Sequence, residues 1–455
     1  MKKYVTIILL LISTVVEAQI QPLRISANKR YFQTSDGKPF FWMGDTGWLL
    51  FKKCKREETI KYLDTRKQQG FNVVQAMLLH ELTVADAYGT PALIKEDISK
   101  PNVTKGKNFE KEGEYDYWDN VDWVVDEAAK RGIYMALVPV WGGNIKNVSV
   151  EQAKIYAAFL ASRYKDKVNI IWLNGGDIRG SEALDKWNAI GSTLRKIDKN
   201  HLITFHPRGR NSSSAWFHNE PWLDFNMFQS GHRSYAQDTS ANETLHYGED
   251  NWRYVHVDYD LKPTKPTFDG EPSYEGIPYG LHKANEPYWQ DYEIRRYAYW
   301  SVFAGGCGFT YGNNAVMQFY SPGDSGTSYF PKLSWQEGLN APGARQMHYL
   351  KELLLSKPYF ERVPDEGLIN NQGERYNYLA ATRGKNYAMI YTYTGRDMAV
   401  NLGRFAGKTV KCAWYNPLNG AYIAIGKFNN KGKRTFDPPG EAKEGNDWVL
   451  LLQGY

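Results

Sequence analysis

Two carboxylates close runs that read as buried strands. In "VNIIWLNGGDIRG" (168–180) the apolar stretch Ile170-Ile171-Trp172-Leu173 passes through Asn174-Gly175-Gly176 into Asp177. In "PTFDGEP" (266–272) a second run ends at Glu271, with Asp269 two residues earlier. Asp and Glu so placed are what glycosidic bond cleavage uses. One carboxylic acid protonates the leaving oxygen, while a carboxylate attacks the anomeric carbon or activates a water. Retaining enzymes hold the pair about 5 Å apart and inverting ones roughly 6.5–9.5 Å apart, and in both the two pKa values must be split by their surroundings. Asp269 and Glu271 are two apart on one strand and so face the same side. Glu271, nearer the C-terminal end, reaches a cleft best, which leaves Asp269 deeper as a hydrogen-bonding neighbour; Glu275 is the nearest spare carboxylate. Other chemistries lack their spacing. The 9 His are scattered, with no H-x-x-x-H or H-E-x-x-H for a metal, and no G-x-S-x-G elbow for a serine nucleophile. No cofactor or metal is implied.

Something must bring residues 177 and 271 to one place. Eight short apolar runs recur at 40–48, 71–79, 133–144, 168–177, 202–209, 225–232, 266–272 and 308–314. Helix-patterned segments at 56–69, 117–131, 150–164, 181–197, 242–257 and 288–304 lie between them, and a long insertion runs to about residue 115. Strands alternating with helices imply a parallel sheet, and eight such units point to a closed (β/α)8 barrel. An open doubly wound sheet would want an early G-x-G-x-x-G, which is missing. Barrel chemistry sits where strands meet their following loops. That rim would also carry Asp45, His80, Trp141, Asn174, His206, Arg208, Gln229, His232, Asp269 and Tyr311, all candidate substrate contacts. Beyond a last helix at 345–355 the texture changes to β-type runs with Asn/Gly/Pro turns about every ten residues, an antiparallel sandwich pattern. The expected organisation is therefore a barrel over 19–357 and a β-sandwich over 358–455.

Composition fits a secreted globular protein. Lys2-Lys3, the apolar run Val5 to Ile12 and the small-residue pattern Val16-Glu17-Ala18 read as a signal peptide over residues 1–18, too short to span a membrane, which implies export to a periplasm. Three Cys far apart form no disulfide framework. The formal charge of +6 is modest and holds no nucleic-acid footprint, but suits an acidic polysaccharide. Aromatic residues, 15 Trp, 32 Tyr and 20 Phe, tilt the reading mildly toward carbohydrate.

Four segments together resemble a known family: "YFQTSDGKPFFWMGDTGWLLF", "WLNGGD" on the fourth strand, "FDGEPSYEG" on the seventh, and the β-rich tail. In order and spacing they are similar to the apiosidase-like proteins of glycoside hydrolase family 140, whose barrel is followed by a domain named for collagen binding. The resemblance covers nearly the whole mature chain. It implies hydrolysis of apiosyl linkages in the pectin rhamnogalacturonan II, with Asp177 as general acid/base and Glu271 as nucleophile of a retaining mechanism. The wider barrel clan usually carries Asn-Glu on the fourth strand, where this chain has Asn174-Gly-Gly-Asp177. The shorter Asp requires the backbone to bulge inward, which two glycines permit. Trp141 and Trp300 are candidate stacking platforms, and Arg208, Arg210 and His232-Arg233 candidate partners for galacturonate carboxylates. Two rivals stand beside this reading: a glycosidase for another plant side chain, and a non-catalytic glycan-binding protein on a barrel scaffold.

Overall fold

The computed structural model describes residues 20–455; the expected signal segment lies outside the described residues. The eight staves are Trp42–Thr46, Val73–Met77, Tyr134–Val138, Ile170–Ile178, Ile203–Pro207, Asn226–Gln229, Thr267–Asp269 and Gly308–Tyr311. They pair in parallel from the fifth back to the first, on to the eighth, and then to the seventh and sixth. The seam between the fifth and sixth staves is joined outside the ladder. There the Asp224 N–H donates to the Ile203 carbonyl at 2.9 Å and the Thr204 hydroxyl to the Phe225 carbonyl at 2.6 Å. This is the (β/α)8 barrel that the alternation of runs implied.

Both faces of the staves are buried, so they read as near-continuous apolar runs instead of alternating ones. Alternation survives in where each side chain goes. Val73, Met77, Tyr134, Ala136, Val138, Ile171 and Leu173 fill the barrel interior. Their neighbours Val74, Ala76, Met135, Leu137, Ile170 and Trp172 pack outward under the helices. The helices begin and end where the sequence signals them. Tyr117–Lys130 starts on Asp116, whose carboxylate accepts from the Trp118 and Asp119 N–H groups, and stops before Gly132 at φ +72°.

Two elements depart from the sequence reading. The stretch 242–257 is helical only over Trp252–Asp260. Upstream, Gly248 sits at φ +54°, and Glu243 is drawn to Arg179, Arg208 and Arg210, so side-chain pairing and a left-handed turn displace the helix. Ahead of the barrel, Leu23–Ile25, Phe32–Thr34 and Pro39–Phe40 form a small antiparallel sheet that the sequence reading did not anticipate. Phe32 packs edge-on to Phe225 at 5.0 Å and Phe40 edge-on to Tyr134 at 5.1 Å, closing the end of the barrel where those staves begin.

After the helix Pro342–Leu355, six antiparallel strands form a sheet in the order Val363–Pro364, Leu379–Arg383, Tyr387–Thr392, Trp448–Gly454, Thr409–Tyr415 and Tyr422–Asn429. The ribbon Met398–Leu402 with Gly432–Phe436 packs against it over a core that includes Leu379, Ile390, Val400, Val410 and Leu450. This unit is tied to the barrel by Arg295, which donates to both oxygens of Asp447 at 2.9 and 2.8 Å, and by Tyr299 stacked on Tyr391 at 4.7 Å. No helix among the described residues is long and apolar enough to cross a membrane.

Candidate active site

All eight staves deliver residues to one cavity of about 600 Å³ at their C-terminal ends. In stave order its wall includes Trp48, His80, Trp141, Asp177, Arg208, Gln229 with His232, Glu271, and Met317 with Gln318. The loop carrying Tyr329 covers one side.

Asp177 reaches this cavity because the fourth stave breaks its own pattern. The ladder to the fifth stave runs regularly to Gly175 opposite His206, then skips to Ile178 opposite Pro207. The extra residues form a bulge in which Gly175, Gly176 and Asp177 all have positive φ, at 94°, 115° and 46°. The glycines are required there. A β-carbon at Gly175 would lie 2.6 Å from the His206 carbonyl oxygen, and one at Gly176 2.6 Å from the Trp141 ring. Asp tolerates the left-handed region better than most side chains, and the bulge turns its carboxyl into the cavity, where solvent reaches it although protein crowds it on all sides. That crowding, reinforced by the charge of Glu271, pushes its pKa up to about 6 against a partial pull from His206 and His232.

Glu271 lies beyond the end of the seventh stave, between two imidazoles. His232 Nε2 is 3.1 Å from Oε1 and His206 Nε2 is 3.0 Å from Oε2, the second approach too oblique to count as a full hydrogen bond. The Asp177 backbone N–H points at His206 Nδ1 at 3.4 Å, so Nδ1 is the acceptor and the ring proton sits on Nε2, the nitrogen nearer Glu271. Burial alone would raise the pKa of Glu271; the two histidines outweigh it and hold the carboxyl down at about 2. The rings are held in turn. Trp48 meets His206 edge-on at 5.3 Å, Tyr274 meets His232 edge-on at 4.7 Å, and Trp48 Nε1 donates to the Tyr274 hydroxyl at 3.2 Å. One carboxyl thus keeps its proton up to about pH 6 while its neighbour is ionised, the split that acid-assisted displacement at an anomeric carbon needs.

The cavity gathers Asp177, Glu271, Trp141, His80, Arg208, Gln229 and His232, with His206 buried directly behind Glu271. Four other candidates are corrected by strand direction. Asp45 turns outward beneath the helix Arg56–Gln68, where Arg66 Nε and the Tyr62 hydroxyl donate to its Oδ2 at 2.7 and 2.6 Å. Asn174 points the same way as Trp172 and donates to the Trp187 carbonyl. Tyr311 donates to Glu275 at 2.5 Å, and the Gly343 N–H also binds that carboxylate, which removes Glu275 from the cavity as well. Asp269 does not share a face with Glu271. Its carboxylate accepts from Ser230 and Asn251, and Asn251 also donates to Tyr297 on the helix Asp291–Phe303, so Asp269 belongs to the outer layer. Trp300, fully buried in the core, is no platform. Trp48, Tyr274 and Tyr329 were missed. The first two lie inside "GDTGW" and "EPSYEG", where an aromatic beside a strand-end carboxylate was the available signal.

One wall is rich in arginine. Arg210 is held by Asp238 at 2.7 Å and Glu243 at 3.1 Å, and Arg208 stands 3.6 Å from Glu243. Arg233 lines the cavity with no salt bridge among the described residues, and burial and the neighbouring Arg210 lower its pKa. No group of three or more His, Cys, Asp or Glu among the described residues could hold a metal ion.

Residues 26–361 match the family model described as "Apiosidase-like, catalytic domain", and residues 363–453 match one described as "Putative collagen-binding domain of a collagenase". A solved structure titled a glycoside hydrolase is 46% identical, with 95% of this chain and 97% of that one covered and a TM-score of 0.89. Another, titled a glycoside hydrolase family 5 protein from Bacteroides vulgatus, is 42% identical over 95% and 93% of the two chains, also at 0.89. A third structure from that organism, titled a "putative glycoside hydrolase", is 13% identical over 96% and 83% of the two chains, with a TM-score of 0.65, and shares the fold. The search of curated proteins gave no match.

Proposed function

The chain belongs to the apiosidase-like family of glycoside hydrolases, and from that premise we propose that it is an exported enzyme cleaving apiosyl linkages in rhamnogalacturonan II by double displacement. Glu271 attacks the anomeric carbon while Asp177 donates its proton to the leaving oxygen. Asp177, now ionised, then takes a proton from the water that displaces the sugar from Glu271. The observation that carries this reading is the opposed pair, Asp177 pushed up to about 6 and Glu271 held at about 2. A glycan-binding scaffold has no need of that split. Arg233, on the cavity wall without a carboxylate partner among the described residues, supports a substrate that brings its own carboxylate, as a galacturonate would. The leader pattern of residues 1–18 supports export.

The test is product analysis on rhamnogalacturonan II fragments. Wild type is expected to release apiose with retention of anomeric configuration, and Asp177→Asn and Glu271→Gln to lose at least a thousandfold in kcat/KM. Release of a different sugar supports the reading as a glycosidase of another side chain. Full activity in both variants rejects the assigned pair, and binding without release from any plant glycan supports the non-catalytic reading.

A further inference from the structure

The C-terminal sheet carries cations that the cavity does not use. Between Asp397 and Asp437 the sequence has seven Lys and Arg and no Asp or Glu, in a chain that overall holds 56 of the one and 50 of the other. Arg404 alone is neutralised, sharing Asp365 with Arg383. Lys408, Lys411, Lys427, Lys431, Lys433 and Arg434 are exposed, and none forms a salt bridge among the described residues.

Their arrangement is costly without an anion. Lys411 and Lys427 are direct partners in the ladder between Thr409–Tyr415 and Tyr422–Asn429, so their side chains leave the sheet on one face. Like charges directly opposite destabilise a strand pair. An exposed ring accompanies the charge: the Lys427 ammonium lies 5.9 Å from the ring centre of Tyr455, while the Arg434 guanidinium covers the core-packed Phe428 ring at 3.4 Å. Tyr422–Asn429 is the outermost strand of its sheet, and lysines commonly guard such edges against pairing with another chain. Guarding explains Lys427 but not Lys411, which is one strand in, nor the single sign of charge. One strand in from the other edge of the same sheet, Arg383 is paired with Asp365.

We propose that this basic rim binds a polyuronate, a polysaccharide bearing many carboxylates, and so holds the polymer on which the barrel acts. The exposed Tyr455 beside Lys427 offers stacking surface for a sugar, and the barrel is a glycoside hydrolase, so a carboxylated glycan suits the rim better than another polyanion. The uronate identity rests on the pectic reading above.

The experiment is affinity electrophoresis of the full chain in gels containing de-esterified polygalacturonate, with Asp177→Asn as background so that no substrate is consumed. The triple variant Lys411→Gln, Lys427→Gln, Arg434→Gln is expected to bind at least tenfold more weakly. Retardation of the parent should vanish in 0.5 M salt, about where exposed charges are screened within a few ångströms. With Asp177 intact, the triple variant should melt no lower than wild type and cleave short soluble substrates at the same rate. Equal retardation of parent and triple variant would overturn the proposal, as would equal binding to fully methyl-esterified polymer or to duplex DNA. The two readings fail separately. Polymer bound at the rim with no sugar released rejects the proposed activity and leaves the rim standing; sugar released with triple-variant binding intact rejects only the rim.

Discussion

Asp177 and Glu271 carry opposite linkage to pH, and this governs both rate and stability. Asp177 has a folded pKa above its ordinary 3.8, so the stability it contributes is complete below that value and lost as pH rises through about 6. Glu271 is depressed from 4.5, so its contribution is complete above 4.5 and lost as pH falls toward about 2. Asp177→Asn should therefore be more stable than wild type at pH 7, by about 1 kcal/mol once solvent screening in the open cavity is allowed for. Below pH 3.8 the difference should vanish; denaturant melts at the two pH values check it. In rate, kcat/KM of wild type should fall above about pH 6 as Asp177 loses its proton. His232→Ala should move the acidic limb upward from about 2 toward 4.5, because a hydrogen bond favouring the ionised Glu271 is gone; pH–rate profiles would reveal an unmoved limb if that contact were idle.

At the scale of the element, the fourth stave decides whether there is a site at all. Gly176→Ala would place a methyl group 2.6 Å from the Trp141 ring at φ +115°, so the bulge must shift. The expected result is a loss of about a hundredfold in kcat, consistent with misplacement of a reacting group by about 1 Å, with about 2 kcal/mol of stability lost as strain. Asp45→Ala should behave in the opposite way. It strands the buried Arg66 and should cost about 3–5 kcal/mol, with kcat and KM of the folded fraction unchanged. These cases mark what the sequence made legible. Strand ends could be located from apolar runs meeting polar chain, and the Gly-Gly pair before Asp177 announced a bulge. Direction could not be read, because staves buried on both faces lose the alternation that tells inside from outside. Asp45, Asn174, Asp269 and Tyr311 were misplaced for that reason, each being a polar residue at a strand end that turns toward the helices. The N-terminal sheet escaped because strands of two or three residues leave no periodic trace.

Across the whole molecule, barrel and sheet domain are coupled through a buried ion pair. Arg295 and Asp447 are both almost fully buried, and each satisfies the other in a two-pronged contact. Arg295→Ala leaves Asp447 buried without its cation and should cost about 3–5 kcal/mol, whereas Arg295→Met with Asp447→Leu should be far milder. Equilibrium unfolding of single and double variants measures the coupling; equal losses in the single and double variants would mean that the pair itself does little.

Double displacement requires a carboxylate oxygen of Glu271 to bond to the sugar. The most direct measurement is peptide mapping by mass spectrometry after incubation with a 2-fluoro apiosyl glycoside bearing a good leaving group, which slows release of the intermediate. A stoichiometric adduct is expected on Glu271 within "FDGEPSYEG". An adduct on Asp177 or another residue, or turnover with inverted configuration and no adduct, would contradict it.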